Sequence, residues 1–359
     1  MLTTTVAEPA SDYRELASRI RGAGLLDRRT ASYTTRMVVT AVALAATWAA
    51  LFAIGDSWAS LGIAALLAFM FTQVDFVGHD AGHQQIFQSR RANQVIGLLA
   101  GNVLTGLSFG WWVPKHNAHH AHPNVVGQDP DIGTGIVALT FTDEGARSRR
   151  GAGRILARQQ AWLFFPLLLL EGAGLHISGI DALVRRRNRA AAIEGLLLGV
   201  HAALYLTPLF WVLSPLRALA FIAVQQALFG LYLGCSFAPN HKGMPVLHDD
   251  SDLDFVRRQI MTSRNVAGGR LSTFIFGGLN YQIEHHLFPA MPRSNLRRAR
   301  GIVRAFCAER DINYHEDSLA GSYRRALTYL NLVGAGCGKF DTPKVQSMTA
   351  RDTNGIPPL

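Results

Sequence analysis

The sequence predicts an all-α integral membrane protein: four transmembrane helices in two hairpins, plus interfacial helices and a cytoplasmic helical cap carrying metal ligands. Three observations predict it. Hydrophobic residues make up 49% of the 359 residues and charged residues only 17%. The apolar residues gather into two pairs of segments, each close to the ~20 residues a helix needs to cross a bilayer. Most of the histidines fall into short motifs just outside those segments.

Met37 to Ile54 contains no charged residue, and Trp58 to Val77 contains only Asp75. Ile193 to Leu213 and Leu216 to Phe237 form the second pair, charged only at Glu194 and Arg217, with Ser214 and Pro215 between them to reverse the chain. The expected crossings are therefore 37–54, 58–77, 193–213 and 216–237. Buried helices of a large soluble core would account for one such segment but not for four.

Two further apolar stretches are read as lying on or dipping into the membrane face. Gln94 to Ser108 is short and rich in glycine. Trp162 to Ile180 is long enough to cross but carries Glu171 and His176. Arg147, Arg149, Arg150, Arg154 and Arg158 precede it, and Arg185, Arg186, Arg187 and Arg189 follow. Arginine near a helix end marks the cytoplasmic side, so both ends of this stretch are expected there and it does not cross. With four crossings, both termini are cytoplasmic. The expected organisation is a cytoplasmic segment at 1–36, a membrane domain at 37–337 with metal-binding parts at 78–192 and 238–337, and a mobile tail at 338–359.

The net charge of +10 needs no nucleic acid. Arg14, Arg19, Arg21, Arg28, Arg29 and Arg36 precede the first crossing, and Arg293, Arg297, Arg298, Arg300 and Arg304 lie near the C-terminus, where they can meet anionic lipid headgroups. The first 36 residues contain no apolar signal-peptide core, so the first helix is expected to direct insertion. Cys235, Cys307 and Cys337 form no CxxC pair, which argues against a disulfide framework or a cysteine zinc site.

Of the 13 histidines, seven form three boxes: His79-Asp-Ala-Gly-His83, His116-Asn-Ala-His119-His120, and Gln282-Ile-Glu-His285-His286. His241 follows the fourth crossing alone. On a helix, residues three and four apart share a face, so His79 with His83 and His116 with His119 and His120 each present a common set of imidazoles. The third box repeats the triad with glutamine in first place. His122 lies about 240° around an ideal helix from His116 and is excluded from the set. Seven boxed histidines and His241 exceed what one tetrahedral ion takes, so two ions are implied, although imidazole alone does not name the element. Asp80, Asp129, Asp131 and Glu284 are available to hydrogen-bond the imidazoles from outside. His176, His201, His248 and His315 are read as ordinary hydrogen-bonded side chains.

With these residues in view, the stretch from His79 to about Pro292 resembles the membrane fatty-acid desaturase family. HDAGH, WWVPKHNAHH with the following HPN and DPD, APNHKGMP, and GGLNYQIEHHLFPAMP carry the resemblance. The glutamine heading the third box is similar to front-end and related bacterial acyl desaturases. The resemblance implies two iron ions bound on the cytoplasmic face by His79, His83, His116, His119, His120, His241, His285 and His286, with Gln282 either coordinating or hydrogen-bonding. It also implies dioxygen as co-substrate and an acyl-CoA or membrane-lipid substrate. No HPGG haem motif occurs in these residues. The electron donor is therefore expected to be a separate ferredoxin, cytochrome b5 or flavin-dependent reductase. The expected location is the plasma membrane of a bacterium. Trp111, Trp112, Phe276 and Tyr281 adjoin the boxes as candidates to line an acyl tunnel. A hydroxylase, ketolase or alkane monooxygenase would use the same ligand spacing. A metal or haem transporter would instead place ionisable residues along the crossings.

Overall fold

The computed structural model describes residues 9–132, 139–248 and 253–336; Cys337 and the tail expected at 338–359 lie outside them. In chain order the helices are α1 Pro9–Gly22, α2 Thr30–Ile54, α3 Ser60–Gly82 and α4 Arg90–Leu98, which runs into a π-helix at Leu99–Thr105. Next come α5 Phe109–Ala121, α6 Asp143–Ser148, α7 Ala152–Arg158, α8 Gln160–Leu168, α9 Glu171–Arg186, α10 Arg189–Val212 and α11 Pro215–His241. The last are α12 Phe255–Met261, α13 Arg270–Ile275, α14 Gln282–Leu287, α15 Arg293–Glu309 and α16 Leu319–Ala335. Strand β1, Asn265–Val266, pairs in parallel with β2, Glu316–Asp317.

Four helices, α2, α3, α10 and α11, are long and apolar enough to cross a membrane. They coincide with the four expected crossings but extend beyond them, because a helix continues through the polar residues that flank its apolar stretch. The first box lies at the end of the second of these helices: His79 is within α3, and His83 is the residue that ends it. Both ambiguous stretches are broken helices. Arg90–Thr105 meets α5 at a 115° bend, and α8 meets α9 at 71°. Gly106 supplies the first break with a φ of 78°, a left-handed conformation open to glycine without steric cost.

The chain divides into two compact units. The membrane unit comprises Arg28–Asn117 and Phe164–Phe237. At its centre is α3, which buries 61% of its most apolar stretch, against 17% for α2 and 11% for α10. Leu67, Phe71, Leu209, Phe221 and Phe229 form its core, while Val38, Val42, Leu196 and Trp211 remain exposed, as residues meeting lipid tails must be. Since lipid is as apolar as leucine, close packing rather than water exclusion holds such helices together. Phe71 and Phe229 meet edge to face with ring centroids 5.8 Å apart.

The second unit comprises Met1–Asp27, Ala118–Leu163 and Ala238–Leu359. Its core brings together Leu16 and Ile20 of α1, Val256 and Ile260 of α12, Ile283 and Leu287 of α14, and Leu296, Val303 and Phe306 of α15. Each fully buried aliphatic side chain of this kind stabilises the fold by roughly 1.5–3 kcal/mol. Ile283 and Leu287 are four residues apart, so one face of α14 is committed to this core.

Candidate metal centre

The helical spacing read from the boxes has a direct structural outcome. In the membrane unit, α3 supplies His79 and His83, and the adjoining part of α5 supplies His116. Their ring centroids lie 4.7, 5.0 and 4.8 Å apart, and Nε2 of His116 is 2.9 Å from Nε2 of His83. Trp112, one turn before His116, stacks on its ring at 4.4 Å and 20°. Gly82 of the first box makes room for this indole, since a Cβ there would come within 2.8 Å of it. The outer partner of His79 is Asp80, whose Oδ1 lies 3.3 Å from Nδ1.

In the second unit, His119, His241 and His286 place one ring nitrogen each within 4.8 Å of one another. The His120 ring stacks on His286 at 4.2 Å and meets the His285 ring at 4.7 Å. All five are buried. What orients His119, His241 and His286 is a set of acceptors at Nδ1. Both carboxylate oxygens of Asp129 lie 3.0 Å from Nδ1 of His119; the Thr262 carbonyl lies 3.0 Å from Nδ1 of His241; and Oε1 of Gln259 lies 2.9 Å from Nδ1 of His286. A nitrogen facing such an acceptor carries the proton, which leaves Nε2 as a lone-pair donor. Neutral imidazoles held in this tautomer are the form that binds metal, so these three residues fit a nitrogen-ligated metal centre.

Asp129 is tied down in turn by the backbone N–H groups of Asn124 at 2.7 Å and Asp131 at 2.8 Å. Burial pushes its carboxyl up, but His119 and the Asp131 N–H outweigh that and hold it below the usual carboxylate range. Oδ2 of Asp131 is 3.6 Å from Nδ1 of His119. Gln282 lies within this set: its Nε2 is 2.9 Å from Nε2 of His241, and its Oε1 accepts from Asn240 at 3.3 Å.

Glu284 is placed differently from the sequence reading. It accepts from Asn265 at 2.8 Å and Tyr314 at 2.7 Å rather than from an imidazole, because two residues along a helix turn it about 200° away from Gln282. Burial pushes its carboxyl up to about 7 against those two hydrogen bonds. Of the tunnel candidates, Trp111 is half-buried, Phe276 is buried, and Tyr281 packs in the core of the second unit. Gln259 and the Thr262 carbonyl were not foreseen.

A family model described as fatty acid desaturase matches residues 56–318. The chain belongs to the fatty acid desaturase family. It is 31% identical over 342 residues to acyl-lipid (9-3)-desaturase of Physcomitrium patens, covering 91% of this chain and 63% of that protein. It is 30% identical over 333 residues to Delta(8)-fatty-acid desaturase 2 of Arabidopsis thaliana, covering 86% and 71%. With Delta(6)-fatty-acid desaturase fat-3 of Caenorhabditis elegans it shares 31% over 284 residues, covering 74% and 63%. The chain thus spans less than two thirds of the first and third of these desaturases. All three relatives are eukaryotic and lend no support to the bacterial plasma membrane expected from the sequence. Four apolar helices and this family make the chain a membrane protein.

Proposed function

We propose that the chain is an oxygen-dependent fatty-acyl desaturase, with two iron ions held by His79, His83, His116, His119, His120, His241, His285 and His286. The observation that carries this reading is the row of Nδ1 acceptors, which leaves Nε2 of His119, His241 and His286 as lone-pair donors. Bound iron would supply the one thing no side chain can, the reductive use of dioxygen to take hydrogen from an unactivated methylene. The chain's own part is to hold its imidazoles in a fixed tautomer and to position the acyl chain. Gln282 adjoins the ligand set: its Oε1 accepts from Asn240, and its Nε2 stands 2.9 Å from the His241 Nε2 whose lone pair an ion would take, so the amide gives up that contact when metal binds.

The substrate class is an acyl-CoA or a membrane-lipid acyl chain, and the electrons come from a ferredoxin, cytochrome b5 or flavin-dependent reductase. Cytoplasmic termini follow from the arginines that precede α2 and follow the third box. Expression in a host of known lipid profile, with double bonds located by mass spectrometry, tests the proposal. A new unsaturated acyl chain is expected, and hydroxylated product alone would refute it.

A further inference from the structure

The first N–H groups of any helix lack partners within it, and a buried helix start must find them elsewhere. At the start of α5 three are met. Phe109 N donates to Asn102 Oδ1 at 3.1 Å, Gly110 N to Glu194 Oε2 at 3.0 Å, and Trp111 N to Ser108 Oγ at 3.2 Å. Both side-chain partners are bound to the same carboxylate: Ser108 Oγ donates to Glu194 Oε2 at 2.8 Å and Asn102 Nδ2 at 3.3 Å. Oε1 of Glu194 lies 3.9 Å from Nη1 of Arg186. Glu194 belongs to α10, one of the four membrane-crossing helices, and is buried.

An acidic group there is expensive unless it is met by donors, and every hydrogen bond described for it is from a donor. It also sits at the positive end of α5, where a negative charge is favoured. Gly110 is shaped to this arrangement. A Cβ at that position would lie 2.0 Å from Glu194 Oε1, so the carboxylate occupies the space another side chain would fill.

We infer that Glu194 is a positioning residue: from within a membrane-crossing helix it caps α5 and fixes the start of the helix that aims His116 at His79 and His83. The inference rests on the reading of those histidines as metal ligands. It explains why an ionisable residue stands in a span that carries none of the boxes.

Gly110→Ala separates this role from ordinary helix stability, because the two predict opposite signs. Alanine is the better helix former, yet here its methyl group would evict the cap. The test uses the full chain in lipid nanodiscs, with hydrogen exchange on the metal-free protein and cobalt(II) as spectroscopic probe. Gly110→Ala and Glu194→Gln are both expected to speed exchange across 109–116 about tenfold, the effect of losing a cap. They should also weaken cobalt binding about 10–100-fold, with an altered absorption spectrum. Exchange in Gly110→Ala that is unchanged or slower would overturn the inference. So would faster exchange with an unaltered cobalt spectrum, since the cap would then be structural only. If Glu194→Gln fails to insert, Ser108→Ala, which removes one donor and keeps the carboxylate, should shift both readouts in the same direction. A wild-type chain that binds no cobalt would count instead against the proposed metal centre, whereas the exchange still decides the cap.

Discussion

Nδ1 of His286 faces Oε1 of Gln259 at 2.9 Å, and the same amide donates from Nε2 to the backbone carbonyl of His120 at 2.9 Å. The carbonyl can only accept, so it fixes which way the amide points, and the amide in turn fixes the tautomer of His286. Gln259→Leu should therefore weaken metal binding about 10–100-fold without unfolding the protein. Chelator competition measures this. An unchanged affinity would mean that the ring is oriented by something else.

His119→Ala and His286→Ala are each expected to abolish desaturation while leaving membrane insertion intact, since α2, α3, α10 and α11 are untouched. His122→Ala should retain most activity, because His122 is in none of the groups of potential ligands found among the described residues. Product formation and iron content per chain check all three. Lost iron in His122→Ala would break the helical-face argument.

Arg264 is fully buried and closes the end of α11, where His241 sits. Its guanidinium donates to the carbonyls of Pro239, Lys242 and Ser322, and its backbone N–H to that of Asn240 at 2.8 Å. Lysine is a point charge without the planar fork and would leave carbonyls unmet. Arg264→Lys should cost about 2–4 kcal/mol, read as a lower thermal midpoint, and should weaken metal binding through His241.

His315 gives a pH dependence separate from the boxes. Burial, with Arg325 and Arg264 nearby, pushes its pKa down to about 4, and Asp317 opposes them only partly. A histidine whose folded value is depressed stabilises the fold above its ordinary value of about 6.5, and that contribution is lost as pH falls toward the folded value. The thermal midpoint should therefore drop between about pH 6.5 and pH 4, and His315→Gln should flatten the drop. A wild-type slope in the variant would refute the assignment.

Much of the fold was legible because it rests on local rules. Apolar length revealed four helices able to cross a membrane, but the i, i+3, i+4 spacing did not show that His116 would group with His79 and His83 while His119 groups with His241 and His286. The partners that orient those rings were not legible. Gln259 is 139 residues from His120, and Glu194 is 84 residues from Gly110. No periodicity links such positions; only the tertiary fold does. His241 could be assigned by resemblance alone, since a single histidine at a helix end has no spacing to read. Glu284 was misplaced because adjacency to His285 in sequence is not adjacency on a helix.

The π-helix at Leu99–Thr105 bears on how a mutational survey of this chain should be interpreted. Where the backbone breaks within an apolar unit, its carbonyls need partners: Nδ1 of His201 lies 3.0 Å from Val103 O, and Nδ1 of His176 lies 2.9 Å from Gly106 O. Neither histidine belongs to a box. Replacing all 13 histidines one by one and scoring activity would therefore overcount the metal ligands, because two of the losses would report backbone left without a partner in the bilayer. Metal stoichiometry, not turnover, is the measurement that tells the two kinds of histidine apart.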